Sequence, residues 1–175
     1  AHTILAAGSL LSLTACEQLK DAADIKFETS YEETFAVNIL VATEPDGSAQ
    51  FSDNGSIDLT TGEVADYVDK LKNISIKSVQ LQVLSYSGPA TAEISGSIDV
   101  GGGFALAIPP TNMQDAFNAP QTIDLSDQAG AFNYIKDQLL DLNVLNYSME
   151  GVVSEVPVQA EFKIIYTLDV TANPL

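Results

Sequence analysis

The chemistry open to this chain is bounded by what it lacks. Beyond residue 15 there is no histidine, no arginine and no tryptophan, and Cys16 is the one cysteine. Histidine-based triads, imidazole metal sites and guanidinium clamps are thereby excluded, which leaves carboxylate, hydroxyl and lysine chemistry. The carboxylates Asp46, Asp53 and Asp58 come closest to a site, because hard oxygen ligands clustered in neighbouring turns are what Ca2+ takes. Their spacing departs from the EF-hand loop, which needs alternating Asp or Asn, a Gly and a terminal Glu. The plainer reading is turn-forming Asp beside Gly. A glycosidase-like carboxylate pair stays formally open, but no tryptophan is present to stack a sugar, and most acids fall on wet strand faces or in turns. Gly101-Gly102-Gly103 lacks the Lys-Ser/Thr and helix start of a phosphate loop. The chain reads as non-catalytic.

The remaining reactive group is the thiol of Cys16, and its setting is specific. An apolar, nearly uncharged run leads into Leu13-Thr14-Ala15-Cys16, with a small side chain just before the cysteine. The run is too short for a span, which needs about 20 apolar residues. This spacing resembles the lipobox of bacterial lipoproteins. The resemblance implies a diacylglyceryl group on Cys16, cleavage after Ala15 and acylation of the new amino terminus. Residues 1–15 are then a signal peptide lacking its basic leading region, and residues 16–24 a lipidated tether. The alternative is a buried amino-terminal helix in which Cys16 is a small core residue. Gly8, Ser9, Glu17 and Lys20 make that helix a poor core element.

Charge narrows the partners. Asp and Glu number 24 against 7 lysines, a formal net charge of −17. Nucleic acid is excluded for want of a basic patch, and attraction to anionic head groups is disfavoured, so membrane attachment has to come from acyl chains. The short polar lead from Cys16 to Asp24 into a strand also resembles the start of uncharacterised lipoproteins of Bacteroidetes bacteria. In those bacteria, acidic residues behind the lipidated cysteine go with display on the outer surface. Glu17 and Asp21 fit loosely, so the reading leans to the cell surface.

The elements follow from periodicity. Ile25, Phe27, Tyr31, Phe35, Val37, Ile39 and Val41 occupy odd positions against polar even ones, a strand with one buried face. Glu33 sits on the apolar side without changing the parity after it. That places it at the rim of the core or at a bend, with a ligand carboxylate as the alternative. Pro45-Asp46-Gly47-Ser48 reads as one turn and Asp53-Asn54-Gly55-Ser56 as a hairpin turn joining Phe51 to Ile57 and Leu59. Thr60 and Glu63 form a capping box for a short helix carrying Val64, Tyr67, Val68 and Leu71 and ending near Asn73. Residues 74–86 form a strand whose parity switch implies a bulge near Lys77-Ser78. The turn Ser87-Gly88-Pro89 pairs that strand in a hairpin with Ala92, Ile94, Ile98 and Val100.

A glycine turn at residues 101–103 leads to a strand over 104–110, then a loop with a helical turn near residues 113–117. Ile123-Asp124-Leu125-Ser126 opens a second helix with Phe132, Ile135, Leu139 and Leu142 on one face. It echoes Ile57-Asp58-Leu59-Thr60 ahead of the first, as in two related strand-helix-strand units. Residues 144–153 form a strand, and the even positions from Val156 to Val170 define a central one, with Pro157 at its start.

Long alternating strands with two short helices predict a mainly β fold, an antiparallel β-sandwich over residues 25–175. The alternative is an open β-barrel plugged by a helix. The expected role is structural or protein-interacting, in an outer-membrane complex. Capture of an extracellular ligand, a glycan or Ca2+, comes second.

Overall fold

The computed structural model describes residues 24–123 and 128–173. Cys16, the signal segment, the tether up to Ala23 and the Asp124-Leu125-Ser126 helix start lie outside them. The strands are β1 (Ile25–Ile39), β2 (Ala49–Asp58), β3 (Leu71–Ser87), β4 (Glu93–Gly101), β5 (Phe104–Asn112), β6 (Gln121–Thr122), β7 (Val144–Val153) and β8 (Val158–Ala172). A 3-10 helix (Gly62–Lys70) and two α-helices, α1 (Met113–Asn118) and α2 (Ala129–Leu142), lie between them. They build two antiparallel four-stranded sheets, β1-β8-β3-β6 and β2-β7-β4-β5, packed face to face as the expected sandwich.

The predicted alternation organises the core. β8 lies between β1 and β3, and its residues Val158, Ala160, Phe162, Ile164, Tyr166, Leu168, Val170 and Ala172 are all buried. Full burial of an aliphatic or aromatic side chain contributes about 1.5–3 kcal/mol, so this one strand dominates the first sheet's stability. Phe35 of β1 stacks on Phe162 at 4.9 Å and faces Phe51 of β2 at 6.2 Å, tying the two sheets together. The bulge in β3 falls where the parity switch put it, between Ile76 and Ser78. Pro157 precedes β8, and the central place of that strand follows the sequence reading.

Several local expectations are overturned. Asp53-Asn54-Gly55-Ser56 is no turn: it lies within β2, which pairs with β7 over its whole length, from Ala49 against Val153 to Asp58 against Val144. Ser87-Gly88-Pro89 does not close a hairpin either, because β3 belongs to the first sheet and β4 to the second. The capping box is absent. Thr60 Oγ1 donates to Asp58 Oδ1 at 2.6 Å and Thr61 Oγ1 to the Asp58 carbonyl at 2.8 Å, so the helix starts on Gly62 as a 3-10 helix without a side-chain cap. It stops at Lys70, and Leu71 already belongs to β3. On α2 the buried residues are Ala131, Ile135 and Leu139, while Leu142 is exposed at the carboxyl end.

The echo between the two helix units has opposite senses in space. The first runs from β2 in the second sheet to β3 in the first, and the second runs from β6 in the first sheet to β7 in the second. Among the eight strands only β4 and β5, joined at Gly101-Gly102-Gly103, form a hairpin of consecutive strands. Every other link crosses between sheets. Gly102 has a φ of +63°, and the ring of Tyr134 on α2 covers it so closely that a Cβ would lie 2.5 Å from that ring.

Candidate functional site

β1 and β2 are edge strands, one of each sheet, and the open side between them holds the charge that sequence periodicity flagged. Along β1 the odd residues face inward, so Glu33 points between the sheets beside buried Phe35. Along β2 the odd residues Ala49, Phe51, Asp53, Gly55 and Ile57 do the same. Asp53 therefore also points inward, and both carboxylates line one small cavity with Gly55, Tyr147 and Met149. The expectation that Glu33 lies at the rim of the core is met.

Beneath this cavity two phenols meet. Tyr147 of β7 and Tyr166 of β8 pack with ring centroids 5.7 Å apart. Burial, with smaller contributions from Glu33 and Asp53, pushes the Tyr147 phenol up to about 12. Tyr166 is more deeply enclosed, and burial drives its phenol further above the ordinary range, helped by Tyr147 and Glu33. The nearby Tyr147 hydroxyl contributes to this rise, although the Tyr166 hydroxyl meets no partner at full hydrogen-bond geometry. Both phenols stay neutral over the physiological range, so the site offers two carboxylates and two hydroxyls.

The cavity measures about 10 Å3, the room of about one water molecule. Sites for small organic ligands run to about 300–1,000 Å3, so a sugar ring does not fit between Glu33 and Asp53 here. The larger hollows are shallow surface grooves. One of them, about 630 Å3, lies on the second sheet over Gln50, Ser52, Ser97, Glu150 and Val152. Strands β2, β4, β5 and β7 carry no lysine. The outward face of the first sheet differs, because it carries ion pairs: Lys77 with Glu28, and Lys163 Nζ with Glu32 Oε2 at 2.7 Å.

The three aspartates proposed for calcium are not brought together. Asp46 sits in the β1–β2 turn, where its Oδ1 accepts from Ser48 N at 3.0 Å and Ser48 Oγ at 2.7 Å, which lowers its pKa. Asp58 ends β2 and its Oδ1 accepts from Thr60 N and Oγ1, which lowers its pKa likewise. Asp53 faces inward from mid-strand, five residues from Asp58 or about 16 Å along the strand, too far to share an ion. Among the described residues no group of three or more His, Cys, Asp or Glu is placed to hold a metal.

Sequence reasoning missed Tyr147, Tyr166 and the inward aim of Asp53. The signal was present: Phe51, Asp53, Ile57 and Leu59 share one parity, which a turn at Asn54-Gly55 would have broken. No helix among the described residues is long and apolar enough to cross a membrane. No protein-family model matches the chain, and no curated protein does.

Proposed function

We propose that this chain is a lipid-anchored lipoprotein of a bacterial outer membrane, leaning to the cell surface, with a structural or protein-interaction role and no catalytic one. The observation that carries the reading is Leu13-Thr14-Ala15-Cys16 standing a short tether ahead of a β-sandwich. Fully extended, the chain from Cys16 to Ile25 reaches at most about 30 Å, so an acylated Cys16 keeps the β1 entry end of the sandwich near the bilayer. β1 itself is 15 residues, about 50 Å of strand. Its far end can therefore lie well clear of the membrane. The surface supports contact with macromolecules more than with small ligands, because its hollows are broad and shallow and its interior cavity holds about one water.

Mass spectrometry of the protein from its own host tests the anchor. Acyl chains on an amino-terminal Cys16, lost together with membrane attachment in Cys16→Ser, are expected. A bare thiol behind an intact residue 1–15 segment would sink the reading. Crosslinking in native membranes tests the role, with a stoichiometric protein partner expected. Recovery of the protein alone, together with turnover of a defined glycan, would instead make it an enzyme.

A further inference from the structure

Two sheets of four strands have four edges, and three kinds of device close them. β6 is only two residues long. β5 carries Pro109 and Pro110, which have no N–H to offer, and its Ala107 N–H is taken by Gln128 Oε1 at 2.8 Å. β1 and β2 have neither protection. β1 runs 15 residues with no Pro and no Gly, in unbroken register with β8, and β2 runs 10 residues in unbroken register with β7. Long regular edges of this kind present unpaired backbone groups that template pairing with another chain. These are the two edges that carry an inward-facing carboxylate, Glu33 and Asp53, both lining one cavity on the same open side.

We propose that Glu33 and Asp53 close the β1/β2 side of the sandwich to strand addition by a second copy of this chain. A strand added to β1 would extend the first sheet over the open side and seal Glu33 into an apolar interior, between Phe35 and the Tyr166 ring. A strand added to β2 would do the same to Asp53. Desolvating a carboxylate that gains no cation is strongly unfavourable. The most extensive self-pairing is also the worst. Full antiparallel overlap of two β1 strands centres on Glu32, setting that residue against its own copy and placing both Glu33 carboxylates beside the dyad. No lysine lines this cavity to offset the two acids. Glu33 is thus a residue that makes one surface unavailable.

The test is sedimentation velocity over a concentration series with the full chain. Wild type is expected as a monomer. Glu33→Val with Asp53→Val is expected to form a dimer at least about tenfold tighter than any wild-type association, with new amide-exchange protection along β1 or β2. Glu33→Gln with Asp53→Asn, which keeps shape and polarity and removes charge, is expected to fall between them and serves where the valine variant misfolds. Glu161→Val, an outward-facing change on the central strand β8, is the control and should leave the monomer unchanged. Folded double variants that remain monomeric, a wild type already dimeric through β1, or equal dimerisation of the control would each overturn the proposal.

Discussion

The phenol of Tyr147 occupies the space that a side chain on Gly55 would need: an ideal Cβ at Gly55 lies 2.3 Å from Tyr147 Oη and 2.4 Å from its Cζ. The two are register partners across β2 and β7, so the glycine is there for its missing side chain and not for a turn. Gly55→Ala is expected to destabilise the domain by about 1–3 kcal/mol through overpacking. In a Tyr147→Leu background the same change should cost far less, because the clashing atoms are gone. Urea midpoints of the two single variants and the double variant measure the coupling, and simple additivity would refute it.

Alkaline pH should unfold the protein through its tyrosines. Burial foremost, then Asp58 and Glu63, pushes Tyr31 up to about 12, and burial does the same for Tyr147. In the unfolded chain these phenols ionise near pH 10. The folded state thus holds protons that the unfolded state releases. This contribution to stability is complete below about pH 10 and is lost as the pH rises towards 12. Denaturant midpoints should decline across that window, and Tyr147→Phe should flatten the decline. An equally steep decline in the variant would assign the effect elsewhere.

Calcium should act as a salt and not as a ligand at Asp46, Asp53 and Asp58, which stand at separate places on the fold. Relief of self-repulsion in a chain of net charge −17 is expected to give a small rise in Tm, matched by magnesium and unaltered by Asp53→Asn. Thermal melts in the two chlorides at equal ionic strength decide it, and a large calcium-selective rise abolished by Asp53→Asn would contradict the expectation.

Periodicity carried most of the fold, and turn chemistry misled where distance mattered. The parity of β8 marked its buried face and central place, and the parity switch at Lys77-Ser78 marked a bulge that the register with β8 contains. Both are properties of a strand's own residues. Asn54-Gly55 is different, since a glycine that frees the chain to turn and a glycine that makes room for a ring look alike until Tyr147 is placed. Ser87-Gly88-Pro89 does bend the chain. Local chemistry can specify the bend but not which sheet receives the next strand. The capping box failed through competition, because Asp58 engaged both threonine hydroxyls first. Glu33 was legible as an anomaly on an apolar face, but its partner Asp53 was not, because reading a turn there erased the parity that aims it inward.

The scarcity of hairpins sets the order in which this protein can fold. Only β4 and β5 can meet as neighbours in sequence, while β1 has β8 as its sole strand partner, from Ile25 against Ala172 to Ile39 against Val158. As the chain is made, β1 emerges ahead of β8 and waits unpaired until all the strands between have followed. Closure therefore depends on loops of nearly domain length, and the chain should collapse slowly, in the millisecond-to-second range of non-local β folds. Through that interval the edge of β1 is bare on both sides, so the longest wait for a partner falls on one of the longest strands.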